Sequence, residues 1–225
     1  MTTISPQTFH FLNQLKQNNN RDWFQDNKSA YLAAKENVEA FADEIIDSFK
    51  ILNPYVSPDL TGKKSVKRIY RDVRFSKNKD PYKSNFGISI PTSAKGIHGP
   101  GFFIQIEPDC SFVAGGMWMP ESEHLKLIRQ EIDYSADKLN EILGKSSFKS
   151  FFANGLQQTD KLKTTPKGYD ASNPNIELLK LKSFTVASFF SDKALQTKDA
   201  SDEIVRCLKE IIPLNKFLQE AIATE

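Results

Sequence analysis

Hydrophobic positions recur along the chain with two different periods. Ser5-Pro6 reads as a helix cap followed by proline at the first helical position, and Phe9, Leu12 and Leu15 then repeat at helical spacing. Asn18-Asn19-Asn20 stops that helix, because Asn tolerates the left-handed conformation that ends helices. Asp22, with Gln25 three residues on, fits a capping box. A long amphipathic helix then runs through Tyr31, Val38, Phe41, Ile45 and Phe49 to Asn53-Pro54. Residues 54–65 read as loop. From residue 86 the period changes to two. Phe86 to Pro91 alternates like a strand, and Thr92 to Pro100 is a Gly-rich loop. Gly101–Glu107 and Cys110–Met117 are β-prone runs joined by Pro108-Asp109, the pattern of an antiparallel hairpin. Helical spacing returns over 121–143, with a break expected near Tyr134-Ser135, and a short helix over 147–153 ends at Asn154-Gly155. Lys161–Thr165 reads as a short strand, Asn173-Pro174 opens a helix to about Leu181, and Phe184–Phe190 is a strand. The last helix, 199–222, is expected to kink or restart at Pro213.

Helices at both ends and strands in the middle, without strict alternation, predict an α+β fold. The expected architecture is an antiparallel central sheet flanked by N-terminal and C-terminal helices. No repeat or linker interrupts the chain, so residues 1–225 are read as one domain.

Composition adds exclusions. The 225 residues are 39% hydrophobic and 26% charged, which is ordinary for a globular protein and excludes wholesale disorder. Seventeen phenylalanines point to an aromatic-rich core. No apolar run is long enough to span a bilayer, so no membrane partner is expected. Cys110 and Cys207 lie far apart and form no metal or redox spacing. Residues 2–15 carry no basic-then-apolar leader pattern. Both observations favour a reducing cytoplasm. His10, His98 and His124 form no HExxH or other metal pair, so no metal is expected. No GxSxG elbow, phosphate loop or GxGxxG occurs, and no cofactor is expected. His98, in the Gly-rich loop, is the one histidine placed to act as a general acid or base, and that loop could serve as a lid.

Charge changes the picture most. The formal net charge is only +2, but residues 61–84 hold nine positive and two negative side chains, a net +7, which leaves −5 for the rest. Such concentration makes a local field that attracts anions. Ile69, Tyr70, Val73, Phe75 and Tyr82 are woven through the segment and can anchor it to a core. Its arginines suit bidentate binding of carboxylate or phosphate. Read as a strand, Arg68 and Arg74 share a face and Arg71 points away; read as a helix, all three spread over one broad face. Asp72 can equally pair internally with an arginine, which would make the cluster structural.

Four stretches together resemble the bacterial family called domain of unknown function 2461. They are Asn19-Asn20-Arg21-Asp22-Trp23-Phe24 with Lys28 and Tyr31; Arg71-Asp72-Val73-Arg74-Phe75 with Lys79, Pro81, Tyr82 and Lys83; Gly115-Gly116 with Pro120 and Arg129; and Pro166-Lys167-Gly168-Tyr169-Asp170 with Pro174 and Leu178 to Phe184. Asn78 departs from the acidic residue the family commonly has there. The resemblance implies a full-length, single-domain cytoplasmic protein and brings no activity with it.

The expected function is binding of a small anionic or phosphorylated ligand. The candidate site is Arg21, Trp23, Arg68, Arg71, Asp72, Arg74, Lys79, Tyr82, Lys83, Lys167 and Tyr169. Arg71, Arg74 and Lys83 would hold the anion, Asp72 would orient an arginine, and Trp23 or Tyr82 would pack on the ligand. One rival is nucleic-acid binding by the same segment, with strong salt dependence. Another is an interaction protein without a ligand.

Overall fold

A computed structural model describes residues 2–92 and 99–223. The elements are α1 (Pro6–Gln17), α2 (Arg21–Asp26), α3 (Lys28–Leu52), α4 (Gly62–Ser65), β1 (Phe86–Pro91), β2 (Gly101–Ile106), β3 (Ser111–Met117), α5 (Ser122–Gly144), α6 (Ser146–Phe151), α7 (Ile176–Leu179), β4 (Phe184–Phe190), α8 (Asp192–Leu195) and α9 (Ala200–Ile222). The strands form one antiparallel sheet in the order β1-β2-β3-β4, so the fold is α+β with helices at both ends. The described residues of Met1–Ile90, Phe103–Val113 and Phe189–Arg206 form one compact unit, and those of Pro91–Phe102, Ala114–Ser188 and Cys207–Glu225 a second.

In the first unit the expected Ser5 cap operates. The Ser5 hydroxyl accepts from Thr8 N at 3.1 Å, and Pro6 follows at the first helical position. Helix α3 buries Tyr31, Ala34, Val38, Phe41, Ile45 and Phe49, one stripe at helical spacing, against α1, α2 and α4. Three details differ from the sequence reading. The second helix is capped by Asn20, whose side chain accepts from Trp23 N, and not by Asp22. It also ends at Asp26, because the Asn27 side chain donates to Trp23 O and competes with the helical ladder. Residues 62–65 form a helical turn rather than loop. Gly62 lies so close to α3 that a Cβ there would sit 2.0 Å from the Glu39 carbonyl oxygen, and its N–H donates to Asp43 Oδ1.

In the second unit α5 breaks at Ser135, where φ is −126°, as its sequence predicts. The strand expected at 161–165 is a single bridge, Lys161 to Leu181. The helix expected from Asn173 shrinks to α7, since Lys180 O is drawn into a bond with Leu162 N. Helix α9 continues through Pro213 instead of restarting there. Gly116 explains the glycine pair after the strand. Its φ is +115°, and a Cβ would lie 2.0 Å from the Phe184 carbonyl oxygen.

Candidate anion-binding site

The basic segment is a ribbon on the free edge of β1. Val66 bridges Ile88 and Tyr70 bridges Tyr82, both antiparallel. Lys67 N donates to Gly87 O, Lys83 N to Ile69 O and Arg71 N to Pro81 O, at 2.7, 2.8 and 2.9 Å. Between the two bridges one strand advances four residues and its partner six. Two extra residues therefore bulge from the side that carries Lys83. Antiparallel bridges hold the segment at Val66 and Tyr70, and residues 71–81 between its two arms carry neither strand nor helix.

Aromatic packing seats the ribbon. Tyr82, 4% exposed, stacks on Phe24 with ring centroids 4.0 Å apart and planes at 11°. Tyr70 leans on both rings, and Tyr31 lies 5.0 Å from Phe24. Asn19 then clamps the Tyr82 backbone as a neighbouring strand would. Its Nδ2 donates to Tyr82 O at 3.0 Å, and its Oδ1 accepts from Tyr82 N at 3.1 Å. Trp23 packs on Phe11 with centroids 6.1 Å apart. The rings of Trp23 and Tyr82, expected to meet a ligand, thus have partners within the protein. Arg21 is exposed on α2 and near enough to Tyr82 to offset part of the rise that burial imposes on its hydroxyl.

The cations divide by what they hold. Arg71 donates to Asp80 O at 3.1 Å and to Ser76 Oγ at 3.4 Å, so it ties the ribbon tip together. Lys79 Nζ donates to Val73 O. Arg74 forks onto Asp72, with Nε to Oδ1 at 3.0 Å and Nη2 to Oδ2 at 2.6 Å, and this pair is exposed. That contact, more than the neighbouring Arg68 charge, holds the Asp72 carboxyl below the usual range. Among the described residues no carboxylate pairs with Lys67, Arg68 or Lys83. Burial, then the positive charges of Arg68 and Lys67, hold the Lys83 ammonium below the usual lysine range. Lys67 was counted in the charge but not singled out from sequence; only its place beside Gly87 reveals it.

The remaining two candidates lie in the second unit. Lys167 is exposed. Tyr169 is part-buried, and burial and then Asp133 raise its pKa while Arg129 opposes them. Arg129 donates through Nε to Leu179 O at 2.7 Å and through Nη2 to Leu181 O at 3.2 Å. Residues 93–98, including His98, lie outside the described residues. Cys110 is exposed and Cys207 is buried. Among the described residues no cluster of His, Cys, Asp and Glu could hold a metal, and no helix is long and apolar enough to cross a membrane.

The sequence model of the conserved hypothetical protein family DUF2461 matches residues 7–217. No curated protein and no solved structure matches the chain.

Proposed function

The chain belongs to the conserved hypothetical protein family DUF2461, and we propose that it binds a phosphorylated ligand at the ribbon edge. Lys83 and Arg68 contact the phosphate, and Lys67 lies alongside. The carrying observation is that antiparallel bridge pairing brings these three cations onto neighbouring segments, and among the described residues no carboxylate pairs with any of them. Three like charges gathered this way repel one another, and an anion relieves that repulsion. Arg71, Asp72, Arg74 and Lys79 shape the tip instead of holding the anion. The wide separation of Cys110 and Cys207 in the sequence, without a CxxC pair, agrees with a cytoplasmic setting.

Thermal unfolding with pyrophosphate, at matched ionic strength against chloride, tests the reading. A ligand of the native state at a hundred times its Kd stabilises by about 2.7 kcal/mol. Wild type and Arg74→Gln should gain in Tm, while Lys83→Gln and Arg68→Gln should not. Without ligand, Lys83→Gln should be no less stable than wild type, since it removes a partly desolvated, repelled charge. Equal gains in all four proteins, or gains in none, would refute the site.

A further inference from the structure

The open face of the sheet carries aromatic rings where alternation normally puts polar residues. Along β2, Phe102, Ile104 and Ile106 are buried, and Phe103 and Gln105 alternate with them toward solvent. Along β3, Val113 is buried and Phe112 is part-exposed. Phe189 of β4 is 68% exposed. These three rings form a row across neighbouring strands, Phe103 to Phe112 at 6.0 Å and Phe112 to Phe189 at 5.9 Å between centroids. The row runs on toward the cations. A Cβ at Gly87 of β1 would meet the Phe103 ring at 2.7 Å and Lys67 Cγ at 3.9 Å, so Phe103 and the Lys67 stem flank the same bare glycine. Cross-strand packing over Gly87 accounts for Phe103. It does not account for an exposed Phe189 at the far end of the row.

Resting on the phosphate reading above, we infer that the ligand is a single nucleic-acid strand. Its phosphates lie on Lys67, Arg68 and Lys83, and its bases stack on Phe103, Phe112 and Phe189. Charge selects this occupant over an apolar partner, because the ring row reaches the Lys67 stem at Gly87, and Lys67 and Arg68 both lie within electrostatic reach of Lys83. A four-stranded antiparallel sheet with rings on its open face is an established way to stack unpaired bases, and stacking tolerates any sequence. Glu107 is held by Ser84 Oγ at 3.3 Å and Gln105 Nε2 at 2.6 Å.

Fluorescence anisotropy of a labelled oligothymidylate, run beside the pyrophosphate assay, tests this. Binding should weaken with salt at a log–log slope of about −2, as three phosphate contacts on a single strand require. Phe189→Ala and Phe112→Leu should each lower oligonucleotide affinity roughly 5- to 150-fold and leave the pyrophosphate response unchanged. Oligonucleotide binding that ignores both substitutions, or that is equal for duplex DNA, overturns the stacking face and leaves the phosphate site standing. No oligonucleotide binding alongside a pyrophosphate response does the same. Loss of both responses overturns both readings. Sedimentation provides the last arm, because a dimer that dissociates on Phe189→Ala would mean that a second copy covers the face, which also overturns the inference.

Discussion

Replacing Asn19 with Ala should loosen the basic ribbon selectively. The Asn19 amide makes two hydrogen bonds, one to each polar group of the Tyr82 backbone, across 63 residues of sequence. Each such bond contributes about 0.5–1.5 kcal/mol net, so the pair stabilises the ribbon by about 2 kcal/mol. Alanine removes both, and the part-buried Tyr82 N–H loses its partner. Amide hydrogen exchange reads this directly: at every 1.4 kcal/mol per tenfold, Tyr82 N–H should exchange roughly 30-fold faster. Asn19→Asp retains the acceptor for that N–H and loses only the donor, so its Tyr82 amide should stay better protected than in the alanine variant. Because Lys83 follows Tyr82 and bonds through its own N–H to Ile69 O, phosphate affinity should fall with the loosening. Unchanged Tyr82 exchange in Asn19→Ala, or a stability loss below about 0.5 kcal/mol, would refute the clamp.

Gly116→Ala should destabilise by more than about 3 kcal/mol in urea unfolding, since a left-handed backbone and a collision with a carbonyl oxygen coincide there. Gly155→Ala, at φ +61° but facing open space, should lose only about 1 kcal/mol, and equal losses would show that space is not the issue. Glu177 sits between Lys161 and Lys180, whose ammonium groups hold its carboxyl down to about 2. A depressed carboxyl stabilises the fold fully above its unfolded pKa near 4.5, and that contribution is lost as the pH falls through about 2. Carboxyl NMR titration should find this value, and Lys161→Gln should move it up; a Glu177 titrating normally in the wild type would contradict the pairing.

Period and punctuation made the sheet legible. Phe86–Pro91 and Phe184–Phe190 have the ends their alternation predicts, and Pro108-Asp109 turns the hairpin with Asp109 at φ +60°. The break at Ser135 was equally visible. The division of one helix at Asn27 was not, because it depends on which of several Asn and Asp side chains reaches a backbone group first. Gly62–Ser65 escaped notice because four residues carry no period, and its glycine is chosen by contact with α3. Charge counting located the basic segment and left open which of its cations pair with Asp72. Arg71 is held by a carbonyl and a hydroxyl and Arg74 by a carboxylate, each within nine residues, a choice made by how the tip folds. A two-residue bulge sets the register between the arms that carry Lys67 and Lys83.

The family-like stretches assemble two by two, and this separates structural from chemical demand. The first and second meet in one unit through Asn19, Phe24 and Tyr82. The third and fourth meet in the other, where Arg129 holds the carbonyls on either side of Lys180 and lies within electrostatic reach of Tyr169. A polar residue that satisfies a backbone group would be retained for folding alone, so its presence in a motif carries no news of a ligand. The informative residues are those the fold leaves without partners. Folding does not explain gathering Lys67, Arg68 and Lys83 at one edge, since like charges on adjacent strands destabilise the pairing that holds them together. On the phosphate reading proposed above, a bound anion would remove that penalty, and only where the ring stack and the Asn19 clamp hold the ribbon in register. On that reading the structural motif is the support for these cations.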